Sequence, residues 1–203
     1  MNQTTRDIRS ILSIPAVYRL LQNVVAGSSA YVGFVQEYIR PHPGDRILDI
    51  GCGPGDILSY LGDVEYVGFD ENPSYIESAK ARFGDRATLY CSRVSTETLE
   101  QKAYFDIVLA VAILHHLDDM EALQLCELAR IALKPSGRFI SLDACYTQDQ
   151  SPLARWIISH DRGQYIRTQE EYIKIASQVF SNIRVSIRHD RLRIPYTHII
   201  MEC

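Results

Sequence analysis

A glycine run between two carboxylates is the part of this sequence best suited to hold a ligand. Gly51, Gly53 and Gly55 follow a short apolar run, and Asp49 stands just before them. Glycine adopts backbone conformations that other residues avoid, and it lets the chain approach a ligand closely. Asp70 lies roughly 20 residues after the turn, where an acidic side chain can accept hydrogen bonds from ribose hydroxyls. This spacing predicts a site for a ribose-containing ligand.

The residues around the turn also indicate what kind of ligand it is. A dinucleotide-binding GxGxxG motif would place its third glycine at position 56, where this chain has Asp56. Carboxylates at Asp49 and Asp56 would repel a pyrophosphate because the charges have the same sign. They suit a ligand with a positive end and no phosphate. S-adenosylmethionine, which carries an ammonium and a sulfonium, meets both conditions.

The composition narrows the class of protein. The chain has 203 residues, of which 46% are hydrophobic and 23% are charged, as in ordinary globular domains. Its formal net charge is -4 and no dense Lys/Arg run is present, so we expect no nucleic-acid partner. The five cysteines have no metal-ligand spacing, which predicts reduced thiols in a cytoplasmic protein without a metal. The sequence has no signal-peptide pattern and no apolar run long enough to span a bilayer, so we expect no membrane association.

Short apolar runs alternate with helical patterns through the middle of the chain. Strands are predicted at Arg46–Ile50, Glu65–Phe69, Ala87–Cys91, Phe105–Val111 and Arg138–Leu142. Helices are predicted at Ile57–Leu61, Ser74–Phe83 and Met120–Leu133. This alternation indicates an α/β fold with a doubly wound, mostly parallel sheet. Two extended runs near the end, residues 183–188 and 196–202, are too close in sequence for a parallel crossover, so one strand should be reversed.

We predict a single domain over residues 1–203, present as a monomer or a homodimer. Residues 1–43 would form an N-terminal helical cap and residues 44–143 a cofactor-binding core. Residues 144–182 would cap the substrate, because long connections in compact folds often carry function. Residues 183–203 would form the terminal strand pair.

Five segments resemble motifs of the class I S-adenosylmethionine-dependent methyltransferases. They are ILDIGCGPG at residues 47–55, FD at 69–70, FDIV with LHHL at 105–108 and 114–117, and LKPSGRF at 133–139. The resemblance covers about residues 44–143 and is specific for fold and cofactor, but not for substrate. It implies a Rossmann-like sheet of seven strands with one reversed strand and helices on both faces. It also implies that S-adenosylmethionine is converted to S-adenosylhomocysteine.

The resemblance further implies roles for single residues. Asp49 would orient the methionine ammonium, Asp70 would hold the ribose, and Ala110 would offer backbone to the ammonium end. The full set of predicted cofactor-binding residues is Asp49, Gly51, Cys52, Gly53, Gly55, Asp70, Glu71, Asn72, Ser92, Arg93, Val94 and Ala110.

Two positions depart from the family's pattern. Glu71 stands where a hydrophobic residue commonly follows the ribose-binding acid. Ser92-Arg93-Val94 stands where the family usually offers an Asp to the adenine amine. We therefore expect adenine to be held by backbone groups, by Ser92 or by apolar contact with Val94.

The candidate general bases are His115 and His116, which follow the carboxyl end of the fourth predicted strand. A purely structural role in the turn is the alternative for both. Substrate contacts are predicted from Tyr31, Tyr146, Trp156 and His160, although a tryptophan on a helical pattern, such as Trp156, is more often a core residue than a ligand contact. His160 and Asp161 are not expected to act as base and partner, because adjacent helical residues point apart.

The sequence does not identify the molecule that accepts the methyl group. The residues at the end of the fourth strand, Ala110-Val111-Ala112, lack both the motif of base-amino methyltransferases and the carboxylate of metal-dependent ones. We therefore predict metal-independent methylation of an oxygen, nitrogen or carbon atom of a small molecule. The alternatives are a cofactor-binding regulatory module without turnover and a nicotinamide-dependent oxidoreductase.

Overall fold

The structure, a computed structural model, describes residues 27–99 and 101–203. The predicted helices before residue 27 lie outside the described residues. Helix α1 (Gly27–Phe34) continues into a π-helical turn, Val35–Ile39. Phe34, Tyr38 and Ile39 are buried in the apolar layer on one face of the sheet.

In the described part of the chain, eight strands form one sheet. They are β1 (Arg46–Ile50), β2 (Glu65–Asp70), β3 (Ala87–Cys91), β4 (Phe105–Val111), β5 (Leu133–Tyr146), β6 (Arg167–Thr168), β7 (Arg184–Arg188) and β8 (His198–Glu202). Their order is β3-β2-β1-β4-β5-β8-β7, and β6 pairs with the end of β5. Strands β1 to β5 are mutually parallel, whereas β8 runs antiparallel to β5 and β7. The predicted mostly parallel sheet with one reversed strand is confirmed.

The central strands are apolar on both faces because each face is covered. Ile47 of β1 pairs with Ile107 of β4, and the next pair is Leu48 with Val108. Successive side chains of a strand point to opposite faces, so these two pairs enter different apolar layers. This explains why both strands read as continuous apolar runs in the sequence.

Helices cover both faces, and side chains define where they begin. The helices after α1 are α2 (Pro73–Phe83), α3 (Asp119–Ala132), α4 (Pro152–Ser159) and α5 (Gln169–Ala176). Asn72 caps α2 by accepting a hydrogen bond from the backbone N–H of Ser74 at 3.0 Å. Reciprocal capping boxes start α3, at Asp118, and α5, at Thr168. No helix among the described residues is both long and apolar enough to cross a membrane.

Three elements differ from the sequence prediction. The segment after the glycine turn is a 3-10 turn, Asp56–Tyr60, rather than an α-helix. Strand β5 begins directly after α3, at Leu133, and extends to Tyr146, beyond the predicted Leu142. Between the pairs Phe105–Leu133 and Ile107–Arg138 the register shifts, so residues 134–137 bulge out within the strand. Strand β6 is an eighth strand within the predicted cap.

The side chain of Leu109 is fully buried in β4, so its substitution tests the packing at the centre of the sheet. Leu109→Ala should lower the free energy of unfolding by about 2–5 kcal/mol, since the cavity it leaves cannot fully collapse. Met120, which is 65% exposed on α3, provides the control. Met120→Ala should change stability by less than about 0.5 kcal/mol in the same urea titration. Equal losses in the two variants would contradict this packing.

Candidate functional site

A cleft of about 710 Å³ opens at the carboxyl ends of β1, β2, β4 and β5. Open parallel sheets bind ligands at this edge. Nine of the predicted site residues line the cleft: Tyr31, Asp49, Gly51, Cys52, Gly53, Asp70, His115, His116 and His160.

The glycine turn forms the floor of the cleft. Gly51 and Gly53 have φ angles of 76° and 55°, which side chains rarely adopt. The backbone N–H groups of Gly51 and Cys52 both donate to the carbonyl oxygen of Phe69, at 2.8 and 3.0 Å, which ties the turn to β2. A Cβ on Gly51 would lie 2.4 Å from Cδ1 of Ile113. Glycine at position 51 thus lets the turn and the end of β4 approach each other.

Asp49 is a buried carboxylate with one unsatisfied oxygen. Its side chain lines the cleft, yet the residue is only 2% exposed. The hydroxyl of Tyr66 donates to Oδ2 at 2.6 Å, whereas Oδ1 has no partner among the described residues. Burial raises the pKa of Asp49 to about 7; the Tyr66 hydrogen bond opposes this rise and the charge of Asp70 adds to it. A cationic ligand group would supply the missing partner.

Asp70 is held against the glycine turn by backbone groups. Its two carboxylate oxygens accept hydrogen bonds from the N–H of Gly53 at 2.9 Å and of Asn72 at 2.8 Å. Burial raises the pKa of Asp70, while these two hydrogen bonds oppose the rise. The end of β2 therefore presents a fixed carboxylate to the cleft.

His115 is locked between two carboxylates. Its Nδ1 lies 2.8 Å from Oδ1 of Asp143, on β5, and its Nε2 lies 3.6 Å from Oδ1 of Asp161. Burial works against a charge on the ring, but the hydrogen bond and charge of Asp143 and the charge of Asp161 outweigh it, so the pKa of His115 is raised. Both ring nitrogens face carboxylates, so His115 is poorly placed to act as a free base.

His116 has the opposite electrostatic setting. Burial, followed by the charge of the adjacent His115, lowers the pKa of His116 to about 4. The ring is therefore neutral at physiological pH, and it also lines the cleft.

The segment after α4 holds in place the 3-10 turn Leu114–His116, which we call the histidine turn. The guanidinium of Arg167 donates to the carbonyl oxygens of Leu114 at 3.0 Å and Leu117 at 2.7 Å. The N–H of Tyr165 donates to the carbonyl oxygen of His115 at 3.0 Å. A Cβ on Gly163 would lie 2.1 Å from the His115 ring and 2.8 Å from its carbonyl oxygen. The predicted cap and the end of β4 thus form one packed unit.

The other predicted site residues lie outside the cleft lining. They are Gly55, Glu71, Asn72, Ser92, Arg93, Val94, Ala110, Tyr146 and Trp156. Arg93 pairs with Glu121 at 3.0 Å, Ala110 is fully buried within β4, and Trp156 is 59% exposed. Of the predicted adenine-side loop, the structure therefore places none of residues 92–94 on the cleft surface.

Several lining residues were not predicted from the sequence: Asp143, Asp161, Arg191, Tyr196 and His198. The hydroxyl of Tyr196 donates to Oδ2 of Asp161 at 2.7 Å, which links the residues just before β8 to the segment after α4. Asp143 could have been found, because it follows the predicted fifth strand at the ligand-binding edge. In residues 27–99 and 101–203, no group of three or more His, Cys, Asp and Glu side chains is arranged to hold a metal ion.

Gly163→Ala tests the contact between the cap and the histidine turn. We expect a loss of about 1–3 kcal/mol in unfolding free energy, because the new methyl group meets the His115 backbone, which cannot yield. Gly33 in α1 is the control, since a Cβ there meets nothing within 4 Å. Gly33→Ala should instead gain roughly 0.5–1 kcal/mol from helix propensity. Thermal unfolding measures both, and an unchanged Gly163→Ala protein would contradict the contact.

Known proteins share this sequence pattern. A family model described as a methyltransferase domain matches residues 48–139. The uncharacterized methyltransferase YodH of Bacillus subtilis is 32% identical over 130 residues, which is 62% of this chain and 54% of YodH. A ubiquinone biosynthesis O-methyltransferase of Bradyrhizobium diazoefficiens is 36% identical over 103 residues, which is 48% of this chain and 39% of that protein. The alignments thus span about half, or less, of the length of these curated relatives.

The fold is shared with a more distant solved structure. Phosphoethanolamine N-methyltransferase 2 of Haemonchus contortus, in complex with phosphomonomethylethanolamine and S-adenosylhomocysteine, superposes with a TM-score of 0.68 at 17% identity. The match covers 87% of this chain and 52% of that chain. This likeness shows the fold, and the sequence matches show that residues 48–139 are similar to methyltransferase domains.

Proposed function

We propose that this protein binds S-adenosylmethionine in the cleft and transfers its methyl group to an oxygen, nitrogen or carbon atom of a small molecule, without a metal. The observation that carries this proposal is the unpaired oxygen of Asp49. A buried carboxylate oxygen without a donor is costly, and it lies at the glycine turn where the methionine ammonium of the cofactor is expected.

The rest of the turn fits the same ligand. Asp70 is fixed by two backbone N–H groups, and its remaining lone pairs can accept the ribose hydroxyls. Gly51 and Gly53 present no side chain to the cleft that they line. We assign cofactor binding to the core at residues 44–143. We assign acceptor binding to the cap at residues 144–182, which includes His160, and to Tyr31.

The chemistry is a displacement at carbon. S-adenosylmethionine supplies an electrophilic methyl group on its sulfonium, and the protein mainly positions the acceptor for in-line attack. For a hydroxyl or ammonium acceptor we assign proton removal to His116, because its ring lines the cleft while both ring nitrogens of His115 face carboxylates. An oxygen acceptor is favoured by the similarity to a relative named an O-methyltransferase.

A nicotinamide-dependent oxidoreductase is disfavoured by the turn itself. Dinucleotide sites place the pyrophosphate at the N-terminus of an α-helix. Here the glycine turn leads only into the 3-10 turn Asp56–Tyr60. Asp56, whose carboxylate binds Arg82, occupies the place of the third glycine and would repel a pyrophosphate. A regulatory module without turnover is disfavoured because the cleft continues past the turn to Ile157, Leu192 and Ile194, which leaves space for an acceptor.

The proposal is tested by ligand binding and then by turnover. S-adenosylhomocysteine should bind the purified protein in calorimetry, whereas NADH should not. A metabolite screen with methyl-labelled S-adenosylmethionine should then yield a labelled small molecule. Binding of NADH alone would overturn the proposal, and cofactor binding without any labelled product would favour the regulatory module.

The Asp49→Asn variant should have opposite effects on stability at high pH and on cofactor affinity. The folded-state pKa of about 7 is above the ordinary value of 3.8, so the unfolding free energy falls as the pH rises from about 4 to about 7. The variant lacks this titration, so its stability should change less over that range and exceed that of the wild type at pH 8. Its affinity for S-adenosylhomocysteine should fall about 10- to 100-fold. A wild-type affinity, measured by calorimetry, would contradict the role assigned to Asp49.

His116→Gln should affect the methyl-transfer step alone. With a hydroxyl acceptor we expect kcat to fall by about 10²–10⁴, the usual contribution of a general base, and S-adenosylhomocysteine affinity to stay unchanged. His42→Gln is the control, because its side chain is 83% exposed and lies outside the cleft. Full turnover by His116→Gln in a steady-state assay would remove His116 from the mechanism.

A further inference from the structure

We propose that Arg191 forms an anion-binding subsite for the methyl acceptor, and that the acceptor is a small molecule that carries a carboxylate. This inference rests on the proposed function, because it takes the cleft to hold the cofactor at its other end.

Arg191 lines the same cleft as the glycine turn but comes from the other side of the sheet order. It belongs to the connection between β7 and β8, and it lines the cleft together with Leu192 and Ile194. Strand β8 is three positions from β1 in the sheet order. At about 4.8 Å per strand, β1 and β8 are separated by roughly 14 Å across the sheet. This distance leaves room for a second ligand beside the cofactor.

The charged head group of Arg191 borders the cavity. Its guanidinium donates to the carbonyl oxygen of Ala30 and lies over the ring of Phe34, 5.0 Å from the ring centre. Ala30 and Phe34 both line the cleft themselves. The positive charge is therefore placed at the wall of the cleft.

No carboxylate neutralises this charge within the part of the chain that the structure describes. Glu37 and Asp190 are near enough to act on Arg191 electrostatically, but both bind Arg188. Arg188 donates to Glu37 at 2.6 Å and to the two oxygens of Asp190 at 2.8 and 2.9 Å. The only hydrogen bond of Arg191 to a described residue is the one to the Ala30 carbonyl. A partly buried guanidinium without an ion pair is energetically costly, and an anionic group of a ligand would supply the missing partner.

A second unsatisfied group lines the same end of the cleft. His198, on β8, is 8% exposed, and its Nδ1 has no hydrogen-bond partner among the described residues. Burial, with the charge of Arg191 adding to the effect, keeps this ring neutral, with a pKa of about 3. A neutral imidazole has one N–H donor, which would complement the guanidinium.

The geometry favours a carboxylate over other anions. A guanidinium binds a carboxylate through two parallel hydrogen bonds, and one Arg with one imidazole offers few donors for a phosphate. Ile157 and Ile194 supply apolar walls for the body of the ligand. Asp161 lies on the histidine side of the cleft and would repel a carboxylate there, so the acceptor should bind in one orientation.

The test uses the 203-residue chain saturated with S-adenosylhomocysteine and three calorimetric probes: benzoate, benzamide and phenyl phosphate. Benzoate should bind more tightly than the other two. Arg191→Met should weaken benzoate binding by about ten-fold or more, because a charged hydrogen-bonded pair is lost. Arg193→Met is the matched control; it removes a positive charge from the same connection outside the cleft lining, and it should bind benzoate like the wild type. Arg191→Lys keeps the positive charge but lacks the planar guanidinium, so its benzoate affinity should lie between those of the wild type and Arg191→Met. It also provides the test if Arg191→Met does not fold.

Other results would overturn the inference. Benzoate binding that is absent from the wild type, or equal in Arg191→Met, would remove the subsite. Tighter binding of phenyl phosphate than of benzoate would overturn the carboxylate assignment. A loss of S-adenosylhomocysteine affinity in Arg191→Met would place Arg191 at the cofactor instead of the acceptor. Failure of S-adenosylhomocysteine to bind the wild type would contradict the proposed function itself, so the two failures are distinguishable.

Discussion

A carboxylate buried at the centre of a parallel sheet, with one oxygen unsatisfied, is the constraint on which this structure depends. Asp49 lies between two apolar layers, where its ionisation is opposed by burial and supported by a single hydrogen bond from Tyr66. Such a group costs stability in the free protein, and it persists where it serves a ligand. The surrounding core, with Leu48 and Ile47 packed on opposite faces of the same strand, offsets that cost.

The strand order arranges the remaining chemistry along one edge. The glycine turn and Asp70 end β1 and β2, the histidine turn ends β4, and Asp143 lies on β5. The reversed strand β8 begins at the same edge, which brings His198 to it. A ligand site built from five strands in this order can place a cofactor over β1 and β2 and an acceptor over β5 and β8. Arg167 then fixes the histidine turn between the two compartments.

The cofactor end could be predicted from the sequence because its residues are local to one motif. Asp49 and Gly51 are neighbours in the chain, and Asp70 follows at the next strand end, so spacing alone brings them together. The acceptor end depends on tertiary contacts instead. Asp161 meets His115 only because the segment after α4 folds back on the turn after β4. Arg191 reaches α1 across more than 150 residues of sequence, and no local pattern marks that contact.

The bounds of the strands likewise divide into those that follow from local sequence and those that depend on neighbouring strands. Apolar runs such as Phe105–Val111 were predicted with the bounds that the structure shows. The extension of β5 and the pairing of β6 with it follow from neighbouring strands, which a single run of residues does not encode. The pairing of Asp49 with the ligand ammonium is tested most directly by the number of protons released when S-adenosylhomocysteine binds. This number is measured at pH 6.5 by calorimetry in buffers of different ionisation enthalpy. An Asp49 carboxyl that ionises to meet the ligand ammonium should release a large fraction of one proton, and this release should vanish near pH 9. Binding without proton release at pH 6.5 would contradict the account.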